Sequence, residues 1–327
     1  FSSVVKKINS IEPDIVHLHW IAGGFMSIEN LSKIKAPVVW TMHDNWPFTG
    51  GCHVMWDCEK YKSSCGSCPR LGSSNEMDIS RLNFKRKSRV YSKISDIQIV
   101  GLSRWITERA QESGLLWNKS IVSLPNPIDI NIFSPVNSDI ARSILKLPIT
   151  KKLIVFGAIS ATSDANKGFL ELTLALEHLK TQNVELIVFG SGYSSEISNL
   201  PQNVHFIGKL TDDVALKLLY SAADVMVVPS KQESFGQTAT EAMACGTPVV
   251  AFKTTGLIDI VDHKENGYLA LPFDEKDLAE GLDWVLNYNN YKLLSDNARK
   301  KIVSKYDYKV VAPMYISLYE SLLRNKR

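Results

Sequence analysis

The sequence predicts an α/β protein of two doubly wound, Rossmann-like domains with parallel sheets. Three observations predict it. Short β-branched apolar runs alternate with helix-forming segments, the rhythm of crossover connections rather than hairpins. The rhythm breaks at Pro125-Asn126-Pro127 and the non-periodic stretch to about Asn137, which marks a domain boundary. A length of 327 residues, 45% of them apolar, suits two domains with cores of ordinary size.

Composition narrows the class further. A net charge of +3 is too small to argue for nucleic acid. No apolar run reaches membrane-spanning length, and no signal-peptide pattern opens the chain. Five cysteines, four of them clustered, do not resemble a secreted disulfide framework. The expectation is a cytoplasmic protein.

Taken in order, the chain opens on Phe1 inside a helical pattern of Val4, Val5, Ile8 and Ile11. Asp14–His19 and Pro37–Met42 are strand-like, with a short helix near Ser27–Ile34 between them. Ile97–Leu102 and Ile121–Leu124 are two more strands, separated by a helix that Ser103 caps. In the second half, strands are expected at Leu153–Phe156, Glu185–Phe189, Val204–Ile207, Val225–Val228 and Val249–Phe252. Helices fall near Gly168–Lys180, Asp213–Ser221 and Gln237–Ala244, and Val311–Leu323 carries a one-sided apolar stripe that predicts a final helix.

The chemistry concentrates between Val225 and Val250. A buried strand stops at Pro229-Ser230, and a loop carries Glu233, Ser234, Phe235 and Gly236 into a helix that ends at Gly246-Thr247-Pro248. Glu233 and Glu241 are eight positions apart, with the helix N-terminus between them. Its bare N–H groups favour an anion such as a pyrophosphate. A carboxylate is a poor phosphate ligand but accepts two hydrogen bonds from a vicinal diol. Phosphates in the middle and diols at both ends describe a nucleotide sugar.

With its loop Glu-Ser-Phe-Gly and its ending Ala-Cys-Gly-Thr-Pro-Val, this stretch resembles the glutamate-x7-glutamate signature of retaining GT-B glycosyltransferases (glycosyltransferase family 4, group 1). The resemblance implies two domains facing a cleft. It assigns Glu233 to the donor sugar's hydroxyls and Glu241 to the ribose, with Ser234, Phe235 and Gly236 beside the donor. Lys167 would meet the leaving phosphate, Gly190 the phosphates, and the turn Gly208-Lys209-Leu210 the base. His43, at a strand end in the first domain, resembles the histidine that contacts the donor sugar beside the acceptor. His17 and His19 read as hydrogen-bonded core histidines, and Trp20 as a buried packing residue in preference to a ring that packs a sugar face. Relatives usually carry an arginine in the loop before the lysine; here Gly157–Asn166 has none, leaving Lys167 alone or helped by the Ser160, Thr162 and Ser163 hydroxyls.

The resemblance also implies a domain layout: 1–130 on the acceptor side, 131–308 for the nucleotide sugar, and 309–327 as a helix crossing back. Because relatives begin with a strand and a glycine-rich loop, the first domain is expected to be truncated. Cys52, Cys58, Cys65 and Cys68 lie in a non-periodic insertion at about 45–74 that needs a staple. Structural zinc, two disulfides or unpaired thiols all fit the spacing, and the cluster's proximity to His43 suggests a part in acceptor recognition. Arg81–Lys93 forms a basic amphipathic helix, either a solvated face or a peripheral contact with anionic lipid at the inner face of the membrane. The implied reaction moves a hexosyl unit from a UDP- or GDP-linked sugar to a saccharide or lipid-linked saccharide, with retention and no catalytic cofactor. Alternative readings are a nucleotide-sugar epimerase of the same fold and a non-catalytic polysaccharide-assembly protein.

Overall fold

The computed structural model describes residues 2–94, 96–190 and 202–324. The chain divides into two compact units, residues 1–125 with 313–327, and residues 126–312.

The first unit is a four-stranded parallel sheet in the order β1-β2-β3-β4. Helix α1 (Ser2–Ile11) precedes β1 (Val16–Leu18), which pairs with β2 (Val38–Met42). Helix α2 (Ile79–Tyr91) leads to β3 (Ile97–Gly101), and α3 (Arg104–Gln111) to β4 (Ser120–Ser123). Strands β2 and β3 are buried along their whole length, as interior parallel strands must be, while β4 is a partly exposed edge. Asp78 caps α2 by accepting from the Ser80 and Arg81 amides, and Ser103 caps α3 as its sequence predicts. The short helix expected near Ser27–Ile34 is a 3-10 segment, Ile28–Lys33.

Trp20 corrects an expectation. It is 54% exposed, because the chain has already left the sheet at Leu18. The buried indole is Trp40, 1% exposed, whose N–H donates to the His19 carbonyl at 2.8 Å.

The insertion between β2 and α2 holds only short 3-10 segments, at Trp46–Phe48, Lys60–Lys62 and Pro69–Leu71. Cys52, Cys58, Cys65 and Cys68 are free thiols. Among the described residues no three His, Cys, Asp or Glu side chains are placed as a metal site, although the Cys52 thiol lies near enough to Cys58, Cys65 and Cys68 to feel all three. Donors from neighbouring segments also tie the insertion down. The Lys87 ammonium, 2% exposed, donates to the Thr49 carbonyl at 3.0 Å and to the Trp46 carbonyl, 3.6 Å above the Trp46 ring. Tyr91 donates to the Pro47 carbonyl at 2.8 Å, Ser113 to the Phe48 carbonyl at 2.7 Å, and Arg81 to the Cys65 carbonyl at 2.8 Å. Lys87 therefore belongs to the interior, not to the basic face read from Arg81–Lys93, and Arg86 is paired with Glu29.

The second unit is a six-stranded parallel sheet in the order β10-β9-β8-β5-β6-β7. After α4 (Ser138–Leu145), β5 (Lys152–Gly157) runs through α5 (Phe169–Glu177) to β6 (Val184–Phe189) and on to β7 (Asn203–Gly208). Helix α6 (Asp213–Ala222) then returns the chain to β8 (Val225–Val228), which sits beside β5. Next come α7 (Gln237–Ala244), β9 (Val249–Phe252), α8 (Leu257–Ile260) and β10 (Gly267–Ala270). Helices α9 (Glu275–Leu286) and α10 (Tyr291–Lys305) complete the unit. Strand order reverses between β5 and β8, the switch point where such sheets bind ligands at their carboxyl ends. The last helix, α11 (Tyr308–Arg324), begins in this unit and continues, through Pro313, among the residues of the first.

Replacing Lys87 by Met keeps the apolar stem but leaves the Thr49 carbonyl without its buried donor and the Trp46 carbonyl with only the Thr49 amide at 3.5 Å. We expect a loss of roughly 2–4 kcal/mol in denaturant unfolding, with Lys87→Arg recovering part of it. Unchanged unfolding in Lys87→Met would show that the insertion is held by something else.

Candidate active site

The loop after β8 is pinned from both sides. The Lys231 amide donates to the Asn166 carbonyl at 2.9 Å, and the Asn166 side chain donates back to the Gln232 carbonyl at 2.8 Å. On the other side the Glu233 amide donates to Thr255 Oγ1 at 2.9 Å, and the Gly256 amide donates to the Glu233 carbonyl at 2.9 Å. Gly168 makes the first clamp possible. Its φ of +73° is left-handed, and a Cβ there would lie 1.9 Å from the Pro229 carbonyl oxygen.

This frame brings two predicted residues together. Lys167 Nζ donates to Glu233 Oε1 at 2.8 Å, with the side chains 23% and 19% exposed. Glu241 stands further along α7, its Oε2 accepting from the Tyr220 hydroxyl at 2.9 Å and its Oε1 from Gln237 Nε2 at 3.1 Å. Burial pushes the Glu241 pKa up, and these two donors work against that by favouring the carboxylate. Between the two glutamates, Gly236 turns with φ of +108° into α7, whose N-terminus no side chain caps. Its first amides stay available to an anion. Phe235 is buried, its ring 5.6 Å from that of Tyr306.

The remaining landmarks follow the neighbouring strands. The Gly190 amide donates to the Gly208 carbonyl at 2.7 Å, and Gly190's own carbonyl accepts from the Ser160 amide at 3.2 Å, tying the ends of β5, β6 and β7 together. Ser191 and Gly192 lie outside the described residues. Lys209 is exposed and Leu210 half-buried beyond β7. A separate hollow of about 680 Å³ near Lys152, Lys180 and Trp284 lies at the amino end of β5, away from all these groups. Asn166, Tyr220, Gln237 and Thr255 were missed by sequence reasoning; each acts through a partner distant in the chain or through one oxygen of Glu241, and no motif marks them.

In the first unit, His43 follows β2 and exchanges a 2.9 Å hydrogen bond from its Nε2 with His19 Nδ1. His17 lies between Thr41 Oγ1, 2.8 Å from its Nε2, and the Tyr319 hydroxyl, 2.7 Å from its Nδ1. His19 is exposed rather than in the core, and His17 is half-buried, so the two alternate histidines serve a polar cluster and not plain packing. Partial loss of hydration lowers all three histidine pKa values, and the neighbouring rings lower His17 further, to about 4.

The two parallel-sheet, Rossmann-like units are those of the GT-B fold. Residues 139–301 match the family described as "Glycosyl transferases group 1". An uncharacterized glycosyltransferase of Methanocaldococcus jannaschii is 32% identical over 286 residues, covering 82% of this chain and 70% of that protein. The chain belongs to the group 1 glycosyltransferase family. A D-inositol 3-phosphate glycosyltransferase of Mycolicibacterium smegmatis is 26% identical over 292 residues, 84% of this chain and 60% of that enzyme. In fold, the chain is similar to the Anabaena protein HepE solved with UDP and glucose, with a TM-score of 0.74 and 20% identity over 98% of this chain and 81% of that one. Sucrose-phosphate synthase from Thermosynechococcus elongatus is similar at a TM-score of 0.73 and 23% identity, over 98% and 78% of the two chains. These relatives favour neither the epimerase nor the non-catalytic reading. Among the described residues no helix is long and apolar enough to cross a membrane.

The histidine cluster carries a pH signature. A His19–His43 bond needs one N–H and one lone pair, which two neutral rings supply. Because the folded pKa values lie below the usual 6.5, the unfolded chain takes up protons first as pH falls. Stability is therefore full above about 6.5 and declines below it, towards the His17 value near 4. Unfolding midpoints measured from pH 7.5 to 4.5 should fall, and His17→Asn should flatten the fall. Equal slopes in the two proteins would contradict this account.

Proposed function

We propose that the protein transfers a hexosyl unit, with retention, from a nucleotide sugar to a hydroxyl of a saccharide or lipid-linked saccharide. The observation that carries this reading is the Lys167–Glu233 pair at the uncapped start of α7, with Glu241 further along the same helix. Lys167 would turn to the distal phosphate as the nucleotide leaves, where negative charge grows, and the α7 amides would hold the diphosphate. Glu233, released from the lysine, would accept from the sugar hydroxyls next to the anomeric carbon. Glu241, already oriented by Tyr220 and Gln237, would use its remaining lone pairs on the ribose diol. A neutral His43 would serve as donor or acceptor toward the transferring hexose. UDP- and GDP-linked sugars both satisfy these contacts, and no redox or group-transfer cofactor is required by them. Site in the cell is read as cytoplasmic, with peripheral attachment left to the exposed Lys85, Arg89 and Lys93 of the basic segment.

Steady-state kinetics on the full-length enzyme separates the roles. Ribose stays in place through the reaction, so Glu241→Gln should mainly raise the donor KM, by roughly tenfold if one charge-assisted bond of about 1.5 kcal/mol is lost. Glu233→Gln should lower kcat as well, because its carboxylate lies near positive charge developing on the sugar ring. Lys167→Ala should lower kcat most with the poorest leaving groups. A Glu233→Gln enzyme with normal kcat beside a Glu241→Gln enzyme without activity would reverse the two assignments.

A further inference from the structure

The insertion between β2 and α2, with the start of α2, lines an open pocket of about 500 Å³ that no step of the proposed reaction uses. Three polar side chains on its lining keep hydrogen-bonding capacity. Arg70 lies flat over Trp56, 3.7 Å from the ring centroid, and among the described residues no carboxylate pairs with its guanidinium. His53 uses Nδ1 on Asp44 Oδ2 at 2.7 Å, which sets its ring and leaves Nε2 without a protein partner among the described residues. The Asn83 amide likewise has no protein partner among the described residues. Gly51 adds no side chain between them: a Cβ at that position would meet nothing nearer than Asn83 Nδ2, at 3.9 Å.

Part of the lining is apolar and exposed, and two exposed tryptophans lie next to lining residues. Leu71 and Ile79 line the cavity with more than half their surface in solvent. Trp56 is exposed beneath Arg70, and the exposed ring of Trp20 lies 6.3 Å from His53. Flat aromatic faces suit the C–H face of a pyranose. An Arg guanidinium held flat by stacking presents its N–H fork to a carboxylate or phosphate. Amide and imidazole groups without protein partners suit hydroxyls.

We propose that this pocket is a subsite for a sugar unit carrying an oxyanion, a uronic-acid carboxylate or a sugar phosphate, within the acceptor. The identification as acceptor rests on the transferase reading above; the binding itself does not. Saturation-transfer NMR and calorimetry on the full chain would use glucuronic acid, glucose 1-phosphate, glucose and inorganic phosphate as probes. One of the two charged sugars should bind at least about tenfold more tightly than glucose, and which one identifies the oxyanion. Arg70→Gln should remove that preference, and Asn83→Leu should weaken the charged sugar without touching the Arg70–Trp56 stack. Both variants should keep the wild-type unfolding midpoint and UDP affinity. The proposal is overturned if neither charged sugar binds, if Arg70→Gln binds it normally, or if inorganic phosphate binds as tightly as the sugar. Charged-sugar binding that survives in a protein without donor turnover would keep the subsite and remove the transferase reading.

Discussion

The second unit depends on one polar seam at the carboxyl ends of β5, β8 and β9. Parallel strands stop there with loops that have no regular hydrogen-bond partners of their own. Asn166 from the β5 side and Thr255-Gly256 from the β9 side supply those partners to residues 231–233. The carboxylate of Glu233 is thereby held by backbone on both flanks before any ligand arrives. Preorganisation of this kind is what separates a charged site from a charged surface.

The ion pair inside the seam has a double character. Lys167 and Glu233 are mostly shielded from water, so their mutual attraction exceeds that of an exposed pair, yet each has given up hydration to reach it. Removing one partner strands the other, while a ligand that offers phosphate to the lysine and hydroxyls to the glutamate satisfies both. The same pattern appears in Glu241, where Tyr220 and Gln237 donate to a half-buried carboxylate whose pKa burial raises.

The first unit solves a different problem. Its insertion has no hydrophobic period, and the four thiols within it are not joined. Burial raises the Cys52 thiol to about 11 and Cys65 in the same direction, which keeps both protonated. Order comes from a buried lysine amino group and a set of hydroxyl and guanidinium donors on α2 and the segment after α3, each closing a carbonyl that the irregular backbone leaves open. An irregular segment tied down in this way can hold an open polar cavity without collapsing into it.

Much of this was legible from the amino acids alone. Strands Val225–Val228 and Val249–Phe252 and the helix Gln237–Ala244 are where the patterning puts them, because β-branched runs between turn residues and a glycine-proline helix stop act locally. The spacing of Glu233 and Glu241 is likewise a property of the chain. What no local signal could supply was partnership across it. Lys167 meets Glu233, Asn166 meets Gln232 and Tyr220 meets Glu241 because crossover connections return distant segments to one edge. The sequence placed Trp20 inside on hydrophobicity, but Trp40 occupies the interior because its strand is central and Trp20 lies past the end of an outer one. Lys87 reads as surface charge in any window of the helix, and only the carbonyls of Trp46 and Thr49, brought over it by the fold, satisfy its buried amino group, whose pKa burial lowers to about 7. Local propensity and spacing decide what each segment is; desolvation and hydrogen-bond satisfaction, which depend on every neighbour at once, decide what its side chains do.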